Sequence, residues 1–328
     1  MRPVRWVEAP NHSESLAVCL RAVLARYGYD RAYEELIAVL GLGAAVVAAR
    51  EDALGWWCAY ARDAALPQTA PLYGLRLREL HPPQAARRLR TSAEFPQHFR
   101  DSYVPLIETA LLHDQWVLAW RGWPAPRDRL WGLITGQRGD MLIGYSLWHN
   151  GQPLPLTGAA HQTYVVEDCQ PPAPGPDAPT LFGVALRRAL AMWDDRWTAN
   201  EDIHSGERAY QAWIAVLREP RQAPGDSLPL FRQHAQATRT LVSARRCLAE
   251  WLRATAGELP GDLVALAAHW ASACDRVADR LGDFGADQAV RELLAAGRAG
   301  ELCAALQDAC AIEAECVASL RQVAPPDA

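Results

Sequence analysis

Apolar residues recur at intervals of three and four near the start of the chain, in PNHSESLAVCLRAVLARYG, residues 10–28. This spacing places them on one face of an α-helix. Asn11 with Glu14 three residues later has the pattern of a capping box, and Gly28 is suited to the end of a helix. The sequence therefore predicts a capped, buried helix. The apolar positions of its buried face are Leu16, Cys19, Leu20, Val23, Leu24 and Tyr27.

The next segments alternate between helical and extended patterns. Residues 29–40 and 51–63 carry apolar positions at helical spacing, which predicts two further short helices. Residues 75–80, LRLREL, alternate as a strand does. A helix is predicted over residues 102–113, because Pro105 then falls in its first turn, where proline is tolerated.

Four apolar runs bounded by glycine, proline and charged residues then predict a β-sheet. They cover residues 115–122, 129–136, 140–148 and 161–168. The short turn GQRG, residues 136–139, predicts a hairpin between the second and third runs. Short connections of this kind join antiparallel strands, so the sheet is expected to be mostly antiparallel.

A proline-rich stretch interrupts this pattern, with five prolines among residues 170–180. Such a segment is typical of a linker. Every later segment up to the C-terminal tail has helical periodicity. We therefore predict an α+β domain with an antiparallel sheet over residues 1–169, a linker over 170–180, and an all-α helical bundle domain over 181–328.

Composition narrows the classes of function. All 33 basic residues are arginine, which excludes a Schiff-base lysine and a P-loop lysine. With 38 acidic residues the net charge is −5, so no nucleic-acid partner is expected. The eight cysteines form no CxxC pair and no zinc-site spacing, which predicts buried thiols and no metal. No cofactor, membrane span or signal peptide is indicated, so a cytoplasmic location is expected.

Two stretches carry a resemblance to a known family. They are PNHSESLAVCLRAVLARYGYDRAYEELIAVLG, residues 10–41, and the strand region from QWVLAWRGWP to RLWGLITGQRGDMLIGY, residues 115–145. Together they resemble the papain-like cysteine peptidase and transferase superfamily, in its butirosin-biosynthesis H-protein and bacteriocin-leader-peptidase branch. The resemblance covers about half of the chain and implies a papain-like fold for the N-terminal domain.

The resemblance also implies where a catalytic pair would lie. The family's nucleophilic cysteine sits at the N-terminus of the first helix, where the helix dipole lowers the thiol pKa. The matching residue here is Asn11, and Trp131 matches the family's general-base histidine. Neither an amide nor an indole can replace these groups. The resemblance thus implies a protein without peptidase chemistry.

Two interpretations of function follow. In the first, Asn11, His12, Trp131 and Tyr145 line a cleft that binds a small molecule or a peptide without turnover, in a bacterial biosynthetic or accessory role. In the second, the protein is an acyl or amide transferase or a hydrolase of secondary metabolism. Its relocated nucleophile would be a hydroxyl such as that of Ser13, with His12 or His161 as the base. A serine in a first helical turn is more often a cap.

The helical half suggests a third interpretation, in which it forms an assembly surface and the chain is a homo-oligomer. The expected partners are therefore a small-molecule or peptide ligand and a second copy of the chain, with no membrane and no nucleic acid.

Overall fold

The computed structural model describes residues 4–9, 11–49, 65–80, 92–125, 128, 130–147, 151–196, 203–218 and 228–323. The chain divides into two compact units. Among the described residues, unit 1 contains 4–36 and 65–176, and unit 2 contains 37–49 and 177–323. Residues 37–49 therefore belong to unit 2 and not to the domain predicted over residues 1–169.

Helix α1 of unit 1 spans Ser15–Arg26, so it begins three residues later than the predicted cap at Asn11 requires. Glu14 is the N-cap residue, and its side chain makes no capping hydrogen bond. The backbone N–H groups of Ser13 and Glu14 instead donate to the Tyr33 hydroxyl, at 3.2 and 3.0 Å. Tyr33 thus supplies an acceptor from a distant part of the sequence, and the predicted capping box is wrong.

The other helices of unit 1 are short, and one of them continues into unit 2. They are α2, Tyr33–Val39, which crosses the boundary after Leu36; α3, Ala65–Thr69; α4, Phe95–His98; and α5, Val104–Leu112. A single π-helical turn joins α4 to α5, so the helical segment starts earlier than the predicted residue 102. Pro105 lies in the first turn of α5, as expected.

Unit 1 is built on one antiparallel sheet of six strands. The strands of the sheet are β2, Leu75–Glu79; β3, Val117–Trp120; β4, Trp131–Arg138; β5, Met141–Ser146; β6, Leu154–Pro155; and β7, Gln162–Cys169. Their order is β2-β7-β3-β4-β5-β6, with β3 and β4 at its centre. In the register, Trp120 pairs with both Trp131 and Gln162. One end of the sheet therefore gathers the end of β3 and the starts of β4 and β7.

The antiparallel sheet and the strand at 75–80 were predicted from the sequence, and details of the strands differ. Strand β4 continues to Arg138, so the hairpin turn is centred on Gly139 and Asp140 instead of residues 136–139. Gly139 has a φ of 58°, which suits glycine in a tight turn. Strand β6 has only two residues and was not predicted.

Unit 2 is mainly helical. Its helices are α6, Ala178–Trp193; α7, Gly206–Arg218; α8, Leu228–Thr255; α9, Gly261–Leu281; α10, Asp287–Ala295; and α11, Ala299–Arg321. It also contains a two-stranded antiparallel sheet of β1, Val47–Ala49, and β8, Ile203–Ser205. The expectation of an all-α domain is wrong in this detail, because residues 37–49 supply a strand that pairs with β8.

The first helix of unit 2 begins earlier than predicted. Helix α6 starts at Ala178, inside the predicted linker 170–180, because the Asp177 carboxylate accepts a hydrogen bond of 2.9 Å from the Thr180 N–H. The predicted helix over 51–63 lies outside the described residues. None of the helices in the described ranges has both the length and the apolar character needed to cross a bilayer.

Candidate functional site

The N-terminus of α1 lies against the start of β4. The Ser15 hydroxyl oxygen accepts a hydrogen bond of 3.0 Å from the Trp131 backbone N–H. The Ser146 hydroxyl donates to the Trp131 carbonyl oxygen at 2.9 Å. Two serines therefore pair both backbone polar groups of Trp131. The structure brings together the helix entry and the strand that the sequence analysis assigned to one site.

The Trp131 side chain belongs to the interior of unit 1. It is 2% exposed, and its ring stacks on that of Tyr164 with centroids 6.2 Å apart. Its Nε1 atom is buried and has no hydrogen-bond partner within the described residues. Because almost no surface of this indole meets solvent, Trp131 cannot serve as the exposed wall of a ligand cleft as predicted.

His12 is also an interior side chain. It is 5% exposed, and its ring stacks on Tyr33 with centroids 3.8 Å apart. Its Nδ1 atom accepts a hydrogen bond of 3.1 Å from the Ala9 N–H, which places the proton of the neutral ring on Nε2. Burial lowers the pKa of His12, because the charged imidazolium is poorly solvated there. His12 is therefore a neutral ring with a structural role in the helix entry.

The remaining predicted residues of this site do not form a catalytic pair. The Ser13 hydroxyl is buried and makes no hydrogen bond within the described part of the chain, so it is not coupled to His12 or His161. Asn11 lies in an exposed turn before α1. Tyr145 stacks on Trp6 with centroids 5.8 Å apart. Hydroxyl activation requires a base within hydrogen-bond reach, and this arrangement does not provide one.

Six of the seven cysteines in the described ranges are buried, and Cys310 is partly exposed. Cys19 is fully buried, and burial raises its pKa well above the usual value. Burial raises the pKa of Cys169 to about 11, with a further contribution from Asp168, and that of Cys310 and Cys316 to about 12. A thiol nucleophile reacts as its thiolate, so none of these four is suited to that role near neutral pH.

Comparison of the sequence with models of known protein families gives no match, and comparison with curated proteins gives none. The assignment of function therefore rests on the geometry of the chain itself. In the described residues, no three His, Cys, Asp or Glu side chains gather in a way that could hold a metal ion.

An open cleft does exist at the end of the sheet where β3 ends and β7 starts. Its volume is about 300 Å³. We call it the Arg121 cleft. Its lining residues are Arg121, Gly122, Trp123, Asp128, Thr157, Gly158, Ala159 and His161. This volume lies at the lower end of the range of small-molecule sites, roughly 300–1,000 Å³. Of the predicted site residues, His161 is the one found in this cleft.

The backbone around the cleft is fixed by a close approach of two loops. The Gly122 carbonyl oxygen accepts hydrogen bonds from the N–H groups of Thr157 and Gly158, at 2.8 and 2.9 Å. Gly122 has a φ of 85°, and a Cβ atom there would lie 2.6 Å from the Gly158 oxygen. Only glycine fits this position. The loop after β3 is thereby held against the loop before β7, and the cleft opens beside the contact.

His161 is held between two aromatic rings at the base of this loop. Its ring makes edge contacts with Phe95 and Trp120, with centroids 5.3 and 5.8 Å apart. Its backbone N–H donates to the Trp120 carbonyl oxygen at 2.8 Å. The imidazole therefore packs against both rings.

The sequence analysis missed the charged residues of the cleft. Arg121 and Asp128 are separated from His161 by three strands, and only the pairing of β3 with β7 brings them together. From the sequence, Arg121 and Gly122 were the last residues of the strand predicted over 115–122, with no indication of a ligand there.

A second cavity lies in unit 2 beside Arg245 and Glu313, with a volume of about 30 Å³. A cavity of that volume has room for only a few water molecules. It is too small for a substrate, so the Arg121 cleft is the better candidate.

Proposed function

We propose that unit 1 is a papain-like domain without peptidase chemistry, and that it binds a small molecule or peptide without turning it over. The antiparallel sheet and the contact of the α1 entry with the start of β4 support the fold assignment. In the family that the sequence resembles, a cysteine and a histidine meet at such a contact. Here Ser15 and Trp131 meet, through a hydroxyl and a backbone N–H.

The observation that carries this proposal is the absence of a nucleophile–base pair among the described residues at the entry of α1. The Ser15 hydroxyl accepts a hydrogen bond from a backbone N–H, and the Ser13 hydroxyl has no hydrogen-bond partner within the described residues. The His12 ring accepts a hydrogen bond from the Ala9 N–H and stacks on Tyr33. General-base activation of a hydroxyl contributes orders of magnitude to rate only when the base is bound to it. Binding without turnover is therefore favoured over acyl or amide transfer and over hydrolysis.

The proposal moves the ligand site from its predicted place. The rings of Trp131 and His12 are buried, whereas the Arg121 cleft is open and lined by polar groups. Polar anchors in a concave site fix the orientation of a small ligand. We assign the ligand of unit 1 to this cleft, with a role in a bacterial biosynthetic or accessory process.

Mass spectrometry of the full chain tests binding. The chain is mixed with the small-molecule fraction of a bacterial extract, desalted, and measured under native and denaturing conditions. We expect a retained ligand in the native spectrum that is released unchanged on denaturation. Gly158→Leu should abolish retention, because the new side chain enters the cleft; an added Cβ at Gly158 meets its nearest atom at 3.4 Å and so causes no clash. Gly257→Leu is the control, since an added Cβ there meets nothing within 4 Å.

Two results would contradict the proposal. Failure of the wild-type chain to retain any small molecule would remove the binding function. Stoichiometric labelling of one residue by a fluorophosphonate or iodoacetamide probe in the folded chain would show an activated nucleophile, and would favour the acyl or amide transferase or hydrolase alternative.

A further inference from the structure

The guanidinium of Arg121 is held in place at the edge of the Arg121 cleft. Its backbone has a φ of 69°, in the left-handed region that non-glycine residues rarely adopt, and its N–H donates to the Leu130 carbonyl oxygen at 3.0 Å. The guanidinium carbon lies 4.7 Å from the centroid of the Trp120 ring. Stacking on an aromatic face orients a guanidinium and leaves its N–H groups free to bind in its own plane.

One of these N–H groups lacks a partner. Arg121 Nε is buried and has no hydrogen-bond acceptor within the described part of the chain. A buried charged donor without an acceptor is costly, and such groups are often completed by a ligand. An arginine presents its donors as a planar fork that matches a carboxylate. The first requirement on the ligand is therefore an acidic oxygen group at Arg121.

The cleft also contains a charge of the opposite sign. Asp128 lines the same cleft, and neither Asp128 nor Arg121 takes part in an ion pair within the described ranges. A dianionic group such as a phosphate would be repelled by the Asp128 carboxylate, whereas a ligand with a cationic group beside its acid would be attracted by both residues.

These observations select one class of ligand for the site proposed above, and the inference rests on that proposed function. We infer that the Arg121 cleft binds a small zwitterion of the amino-acid type, with its carboxylate on Arg121 and its ammonium group towards Asp128. Thr157 and His161 are also among the residues that line this volume. About 300 Å³ accommodates a single amino acid.

The test uses three probes: L-alanine, which carries both charged groups; propanoate, which lacks the ammonium group; and ethylamine, which lacks the carboxylate. Their dissociation constants for the full chain are measured by ligand-observed NMR. We expect L-alanine to bind about tenfold more tightly than either singly charged probe, because only L-alanine makes both charge-assisted contacts. A tenfold ratio of dissociation constants corresponds to about 1.4 kcal/mol. Equal affinity of L-alanine and propanoate would overturn the inference, as would failure of L-alanine to saturate the chain.

Two variants assign the contacts. Arg121→Gln should reduce the affinity for L-alanine about tenfold and leave that for ethylamine unchanged. Asp128→Asn should weaken the binding of L-alanine and of ethylamine, and it should not weaken that of propanoate. Both variants are checked for wild-type thermal unfolding. If the two variants have no effect on a bound L-alanine, the Arg121 cleft is not its site and the inference falls.

The two proposals fail in different ways. If none of the three probes binds and the wild-type chain still retains an extract ligand that Gly158→Leu loses, the binding function stands and only the zwitterion inference is wrong. If Gly158→Leu retains that ligand as well as the wild type does, the assignment of the cleft is wrong in both proposals.

Discussion

Ser13 and Ser15 lie two residues apart at the entry of α1 and use their hydroxyls differently. The Ser15 oxygen accepts the N–H of Trp131, which starts a central strand. The Ser13 oxygen is buried without a hydrogen-bond partner within the described residues. A buried polar atom contributes to stability only when it is paired. The sequence presents two similar serines, and the fold makes only one of them a link between helix and sheet.

We predict that Ser15→Ala lowers the free energy of unfolding of the chain by about 1–3 kcal/mol, because it leaves the Trp131 N–H buried and unpaired. Ser13→Ala is the matched control and should be neutral or slightly stabilising, since it removes an unpaired hydroxyl. Urea unfolding followed by tryptophan fluorescence measures both. Equal losses in the two variants would show that the Ser15 hydrogen bond contributes nothing.

His12 gives a prediction about pH. Its pKa is lowered by burial in the folded chain, from an ordinary value of 6.5 in the unfolded chain. Below that value the unfolded chain binds a proton that the folded chain does not. The contribution of His12 to the free energy of unfolding is therefore fully present above pH 6.5 and is lost as the pH falls towards the lowered pKa. We expect the urea midpoint to fall between about pH 7.5 and pH 5.5 more steeply in the wild type than in His12→Gln. Parallel pH profiles would refute this role.

At the scale of elements, the helices of unit 2 are joined by a buried arginine. Arg245 of α8 has a side chain only 2% exposed and forms an ion pair with Glu313 of α11. Its guanidinium also donates to the carbonyl oxygens of Gly43, Ala44 and Ala45. One side chain thus connects two helices to the segment that leads into β1. The pKa of Arg245 is raised by the Glu313 carboxylate in spite of its burial.

We predict that Glu313→Gln lowers the free energy of unfolding by about 3 kcal/mol, because it leaves a buried guanidinium without its counter-charge. The control is Glu315→Gln on the same helix. Glu315 pairs with Arg276 at 3.7 Å, and its side chain is 64% exposed. Surface ion pairs contribute about 0–1 kcal/mol, so this variant should be close to wild type. Chemical unfolding followed by circular dichroism compares them, and a cost of less than 1 kcal/mol for Glu313→Gln would be the contrary result.

The strands show what the sequence could predict and what it could not. Apolar runs bounded by turns predicted the positions of β3, β4, β5 and β7 to within a few residues, because burial and alternation are local properties. The role of Gly132 was not predictable. A Cβ at that position would lie 2.3 Å from the Trp123 indole, whose Nε1–H donates to the Ala119 carbonyl oxygen. This contact depends on a side chain nine residues away that folds back over the sheet.

The candidate site illustrates the same limit. From the sequence, His161 was a candidate base, and the family resemblance implied that the α1 entry meets the start of β4. Arg121 and Asp128 were not found, because a left-handed φ and an unpaired charge are properties of the folded loop. Burial of His12 and Trp131 was missed for a related reason. Their partners Tyr33 and Tyr164 lie on other elements of unit 1.

At the scale of the whole molecule, the two units are not simply the first and second halves of the sequence, because unit 2 includes an early segment that begins at residue 37. The predicted change from an α+β half to a helical half is present at residue 177, where α6 follows its Asp177 cap. The earlier crossing after Leu36 was not predicted, because it occurs within the single helix α2. No composition change marks that position, and only the pairing of β1 with β8 reveals it.

The pairing of Val47 with Ser205 has a consequence during protein synthesis. A ribosome releases residues 37–49 long before it has made their partners in α8 and β8. All segments of unit 1 have been synthesised once residue 176 has emerged from the ribosome. Residues 37–49 remain without their partners in unit 2 while more than a hundred further codons are translated. The backbone carbonyls of Gly43, Ala44 and Ala45 therefore stay hydrated on the nascent polypeptide until Arg245 arrives to displace the solvent.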